Sequence, residues 1–144
     1  MLHLLIQTCA AAMATIGFSM LFSVPARYYP SCALIGGVSW LAYLLLLPYS
    51  SVSIATFAAT VIVILMSRWF AVRKRCPVTI FLISGIIPLV PGIALTNGVR
   101  DIAGCDYLSG TIRGIEALLI GAAIALGVGF VLGASAALPG VIVR

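Results

Sequence analysis

Residues 52–72 read VSIATFAATVIVILMSRWFAV. The run is apolar from end to end and carries a single charge, Arg68, close to its end. A helix rises about 1.5 Å per residue, so a run of about 20 residues crosses a bilayer core of about 30 Å. A transmembrane barrel strand would alternate apolar and polar positions over roughly ten residues. This run does not alternate, and lipid leaves only helices and closed barrels as spanning structures. The stretch therefore reads as a membrane-crossing α-helix.

Working outward, the same pattern recurs along the chain. Apolar blocks cover about 2–24, 31–47, 52–72, 77–101 and 107–138. Together they predict an all-α integral membrane protein, one transmembrane domain over 1–144, with about five spans. The chain has 144 residues, of which 63% are hydrophobic and 8% charged. A soluble domain carries about 25% charged residues, so no block is left from which to build one. The first block has neither a basic leader nor a small-residue cleavage site, and it reads as a span, not as a signal peptide.

The net charge of +5 comes from basic residues scattered between blocks. That distribution suits control of membrane topology and not nucleic-acid binding. If all five blocks cross, Arg27, Arg68, Arg73, Lys74, Arg75 and Arg144 share one side, against Arg100 and Arg113 on the other. The richer side is expected in the cytoplasm, which places the N-terminus outside. If the fourth block were re-entrant, Arg100 and Arg113 would join the richer side and Arg144 would leave it. Five crossings are preferred, because 77–101 is long enough to cross as two half-helices. Cys9, Cys32, Cys76 and Cys105 form no CxxC pair, so neither a disulfide framework nor a zinc site is expected.

The fourth block holds the most informative feature. Its centre is Ile86-Ile87-Pro88-Leu89-Val90-Pro91-Gly92. Pro88 and Pro91 have no N–H to give to Ser84 and Ile87, so the helix must break between Pro88 and Gly92. Gly98 and Gly104 are expected to loosen the segment beyond the break. In lipid, freed backbone groups persist only where they meet protein or a polar cavity. Broken helices at mid-membrane are a common way to build a transporter binding site. A half-helix starting after Pro91-Gly92 would present the amides of Ile93, Ala94 and Leu95, which suit a carboxylate. The candidate substrate-binding residues are Pro88, Pro91, Gly92, Ile93, Thr96, Asn97 and Asp101. The competing reading is a proline kink that serves only packing.

The three acids are Asp101, Asp106 and Glu116. Ionisable groups in an apolar setting are costly and suggest function. Asp101 is nearest the break and is the candidate partner for an ammonium group or a proton; its plainer role is to pair with Arg100 or Arg113. Asp106 reads as a helix cap. Glu116, three residues after Arg113, fits an ion pair along one helix as well as a role in transport. Trp40 and Tyr43 suit a cavity wall or ordinary packing. His3 is given no role. In the last block, Ala117, Gly121, Ala125, Gly129, Gly133 and Ala137 recur every four residues, a pattern of close helix packing inside the chain or against another subunit. Ala10, Ala14 and Gly17 form a weaker version in the first block. No HExxH, GxSxG or Walker motif is present, so the chain reads as no enzyme, with no cofactor and no metal site.

The break motif continues as Leu95-Thr96-Asn97-Gly98-Val99-Arg100-Asp101 and then Asp106-Tyr107-Leu108-Ser109-Gly110. These residues resemble the threonine/serine exporter family. Glu116-Ala117-Leu118-Leu119-Ile120 and Ile124-Ala125-Leu126-Gly127-Val128-Gly129 are similar to it too. Gly17-Phe18, Leu21-Phe22 and Val24-Pro25 resemble the small subunit of its split members. The resemblance implies a multi-pass protein of the bacterial inner membrane that exports threonine and serine, driven by the proton gradient. It implies a larger subunit of the same family as partner in a hetero-oligomer, with homo-oligomerisation as the alternative. It also leaves room for a dicarboxylate (succinate) exporter, or for a scaffold subunit with no substrate site of its own.

Overall fold

A computed structural model describes the chain from Leu2 to Ala137, and every regular element in it is helical. The helices are α1 (Leu2–Leu21), α2 (Tyr29–Leu46), α3 (Val52–Lys74), α4 (Val78–Ile86), α5 (Gly92–Ala103) and α6 (Tyr107–Ala137). Four of these runs are each long and apolar enough to cross a membrane; α4 and α5 pass the same test only together, as a bent pair that is either one broken span or a re-entrant loop. Leu138, the end of the expected last span, lies outside the described residues.

Proline accounts for the block edges less directly than expected. α1 stops at Leu21, short of Val24, because Ser23 turns into the left-handed region at φ 54°. The Ser23 amide then donates to Met20 O and the Val24 amide to Ser19 O, both at 3.0 Å. This pair of bonds is a Schellman cap, which satisfies carbonyls the helix leaves over. The same cap recurs at Arg75 (φ 51°) after α3 and at Cys105 (φ 65°) after α5. Pro25 and Pro77 each come two residues after such a cap, where a helix has already ended. α2 starts at Tyr29, earlier than Ser31, since Pro30 fits the first turn of a helix.

The core lies where α4 packs between α2 and α3. Phe81 is fully buried with Ile35, Val63 and Cys32. Its ring meets Tyr28 edge-on, with centroids 5.7 Å apart. Gly85 lets the backbones approach: a methyl there would stand 2.8 Å from Ile35 Cγ2 and 2.9 Å from Val63 Cγ1. The core is also rich in hydroxyls. Thr15, Ser19, Ser39, Thr56, Thr60 and Ser84 each donate to a carbonyl of their own helix. Such back-bonding satisfies a polar group without leaving the helix. In α1 the buried positions are Ala11, Thr15 and Ser19; Ala10, Ala14 and Gly17 are not among them.

α6 lies on α3 through Ala117, Ile120, Ala123, Gly127 and Val131. A methyl on Gly127 would come within 3.1 Å of the Thr60 side chain. The four-residue stripe fares differently. Ala117 is buried, but Gly121, Ala125, Gly129 and Gly133 are exposed, and a methyl on any of the three glycines would touch nothing within 4 Å. A helix repeats every 3.6 residues, so a strict four-residue repeat drifts around the axis. It starts on the face toward α3 and leaves it after one step. The Ala137 side chain lies outside the described residues.

The fourth block bends by 48° at its break. α5 rests chiefly on α6. The two approach closely where Gly98 faces Gly110: a methyl on Gly110 would lie 2.9 Å from Gly98 O, and one on Gly98 3.3 Å from Gly110 O. Gly98 is thus a tight packing position inside α5, not the loosening residue expected from its type. Gly104 closes α5, its amide donating to Arg100 O.

Candidate functional site

The break is built in three steps. Pro88 sits in the first turn of a short 3-10 segment, Ile87–Leu89, which closes α4 with a bond from the Val90 amide to Ile87 O at 3.1 Å. Val90 is extended (φ -65°, ψ 132°), as the residue before a proline should be. Pro91, at φ -76° and ψ 54°, forms an inverse γ-turn in which the Gly92 amide donates to Val90 O at 2.7 Å. α5 then begins. The Leu95 amide donates to Pro91 O at 3.1 Å, so it is not available to a ligand. The amides of Ile93 and Ala94 have no acceptor among the described residues.

A cavity of about 270 Å³ opens against these amides. The break itself, Pro88 to Ala94, forms one wall. Trp40 and Tyr43 of α2, Val52 and Thr56 of α3, and Glu116 and Ile120 of α6 form the others. The volume sits at the small end of the range for ligand pockets. The depths agree as well. α5 has 12 residues from the break to the turn before α6, about 18 Å. Glu116 lies about 14 Å along α6 from that turn. Running back beside α5, α6 therefore brings Glu116 to the level of the break, deep in a span.

The expected site residues divide into two groups. Pro88, Pro91, Gly92 and Ile93 line the cavity. Gly92 has no packing reason to be glycine: a methyl there would meet nothing within 4 Å. Thr96, Asn97 and Asp101 do not line it. The Thr96 hydroxyl is exposed and bonds Gly92 O and Ile93 O at 2.9 and 3.1 Å. Asp101 pairs with Arg113, Oδ2 to Nε at 2.7 Å. The helical period explains the loss. Residues four, five and nine positions beyond Gly92 move off the end of α5 that faces the cavity. Asp101, nearest the break in sequence, is carried toward the far turn.

Of the acids, Glu116 and not Asp101 is among the residues that line the cavity. Its expected ion pair with Arg113 does not form, because Arg113 turns to Asp101. The signal is present in the spacing: Glu116 lies well inside a long apolar run, whereas Asp101 lies beside a turn. Trp40 and Tyr43 are cavity-wall residues, with ring centroids 5.2 Å apart. Asp106 caps α6 as expected, its Oδ1 accepting from the Ser109 amide at 3.2 Å. Hydrogen bonds from the Ser109 hydroxyl and then the Ser109 amide hold its carboxyl below the usual range. Arg68, near the end of its span, keeps one guanidinium nitrogen buried and without a hydrogen-bond partner among the described residues.

In chemical terms the cavity lining brings together two free N–H donors at a helix start and one acidic residue, Glu116, which is itself exposed. Hydroxyls of Tyr43 and Thr56 stand at the side. Residues 7–133 match the family model described as Threonine/Serine exporter, ThrE. No solved structure matches the chain.

Proposed function

The chain belongs to the threonine/serine exporter, ThrE, family, and from that premise we propose that it is a subunit of a secondary exporter whose substrate binds in the cavity at the broken span. One observation carries the assignment: Ile93 and Ala94, whose amides are unpaired, and the exposed acid Glu116 line the same small space. An α-amino acid has the complementary pair of charges. Its carboxylate is stabilised by the amides and the positive end of α5. Its ammonium group meets Glu116. The hydroxyl of threonine or serine has Tyr43 and Thr56 within the same walls.

Glu116 also gives coupling to the proton gradient a physical basis. A carboxylate inside a span is costly when unpaired. It is neutralised either by the substrate ammonium or by a proton, and the two exclude each other. That exclusion is what exchange of substrate for proton requires. A dicarboxylate such as succinate fits this cavity less well, since its second carboxylate would face Glu116. The exposed small-residue face of α6 supports a subunit role, with the larger family member seated there in the bacterial inner membrane. A purely scaffolding chain would need that face and not the cavity.

The test is efflux of threonine, serine and succinate from preloaded cells making this chain with the larger subunit. Glu116→Gln is expected to lower threonine and serine efflux roughly tenfold or more, the worth of a charge-assisted hydrogen bond, with assembly intact. Full activity of both Glu116→Gln and Gly92→Ala would overturn the site. Succinate efflux without amino-acid efflux would overturn the substrate class.

A further inference from the structure

Away from the break, the start of α2 and the end of α3 meet at one end of the bundle. Arg27 and Lys74 come there from different elements and converge on a single ring. The Arg27 guanidinium lies 4.6 Å and the Lys74 ammonium 5.5 Å from the centroid of Tyr28. The two cations are therefore no farther apart than the sum of those distances. The Lys74 Nζ also donates to Ser31 Oγ at 2.7 Å, and Tyr28 is 4% exposed. Both cationic groups are thus held by rigid neighbours, and the three residues line a cleft of about 270 Å³. Nearby on α3, Arg73 stacks on exposed Trp69 at 5.5 Å. Tryptophan there marks the level of the lipid headgroups.

Among the described residues no carboxylate pairs with Arg27 or Lys74; the ion pair found joins Arg113 to Asp101. Like charges brought together in this way repel each other unless an anion lies between them. We propose that the cleft between Arg27 and Lys74 is a binding site for the phosphate of an anionic membrane phospholipid. A lipid is favoured over a soluble anion by the position of the cleft. It lies where the candidate span Ala26–Leu46 starts and the candidate span Val52–Lys74 ends, the depth at which phospholipid headgroups lie. Basic pockets between spans take up such headgroups. The site is separate from the cavity at the break and does not depend on what that cavity binds.

The experiment is native mass spectrometry of the full chain in mild detergent, titrated with phosphatidylglycerol or phosphatidylcholine. Wild type is expected to keep phosphatidylglycerol at roughly tenfold lower concentration than phosphatidylcholine, as two basic contacts imply. Arg27→Gln should abolish that preference. Arg27 is exposed, so this variant tests the site without disturbing the core. Lys74→Gln should do the same, and Arg100→Gln should leave it unchanged. Equal retention of the two lipids by wild type, or an undiminished preference in Arg27→Gln, would overturn the proposal. So would displacement of the lipid by an equal concentration of inorganic phosphate or succinate, which would make the cleft a site for soluble anions.

Discussion

Arg113 Nε lies 2.7 Å from Asp101 Oδ2, and this ion pair ties the last turn of α5 to the first turns of α6. It acts beside the Gly98–Gly110 crossing, where the two backbones touch. The pair is partly open to solvent, at 46% exposure for Arg113 and 26% for Asp101. Screening therefore keeps its worth small. Asp101→Asn is expected to destabilise the hairpin by about 0.5–1 kcal/mol. A double-mutant cycle with Arg113→Gln, read by thermal unfolding in detergent, should recover most of that as coupling. Substrate efflux should fall far less than in Glu116→Gln.

Asp106 supplies a pH dependence whose sign comes from its cap. The Ser109 hydroxyl and amide hold its folded-state carboxyl below the usual range. A depressed folded value means that the cap's contribution is fully present above the unfolded value, about 3.9. It is lost as pH falls from there through the folded value. The start of α6 should fray below about pH 4. Hydrogen exchange of the Ser109 and Gly110 amides is the measurement. Asp106→Asn, which still caps, should remove the pH dependence and keep most of the protection.

Three helix ends carry a non-glycine residue at positive φ, namely Ser23, Arg75 and Cys105. The left-handed conformation costs an L-residue about 1–2 kcal/mol, and glycine avoids this but loses more freedom on folding. Cys105 is exposed and makes no side-chain contact on which the turn depends. Cys105→Gly should raise stability by about 0.5–1 kcal/mol, seen as a higher unfolding midpoint. An unchanged or lower midpoint would mean that the freedom glycine loses on folding matches or outweighs the strain it relieves.

The legibility of each feature in the sequence depends on the physical quantity its signal carries. Hydropathy reports burial in lipid, so the four long spans and the bent pair of α4 and α5 can be read, and proline chemistry locates the break to within its residues. Side-chain direction is harder. Proximity in sequence favours Asp101 over Glu116; α5 and α6 form a hairpin, and only its antiparallel pairing returns Glu116 to the level of the break. The helix ends at Ser23 and Arg75 escape a reading of composition, because a Schellman cap without glycine leaves no compositional mark. The Arg27–Tyr28–Lys74 cluster joins residues more than 40 positions apart, and apolar patterning carries no register for such a contact.

Two glycines separate packing from function. A methyl at Gly85 would press on Ile35 and Val63 at 2.8 and 2.9 Å, in the middle of the core. Gly85→Ala should cost about 1–3 kcal/mol through overpacking and lower the yield of folded protein. A methyl at Gly92 meets nothing within 4 Å and projects beside the cavity that Gly92 lines. Gly92→Ala should fold as wild type and raise the KM for threonine efflux. If Gly92→Ala instead fails to fold, the break has a packing role that outweighs its place at the cavity.

Gly127 and Gly129 make the corresponding contrast on α6. Gly127 sits against Thr60 and the backbone of Phe57, so Gly127→Leu should pry α6 from α3 and destabilise the chain itself. Gly129 faces outward with open space around it. Gly129→Leu should leave the unfolding midpoint of the isolated chain unchanged, since the added side chain enters lipid. In the assembly the same side chain would stand between two helices that small residues allow to touch. Co-purification with the proposed larger subunit, or cross-linking between copies of this chain, should then be lost. Retention of both contacts in Gly129→Leu would mean that this face of α6 meets lipid alone, and the partner would have to be sought on another surface.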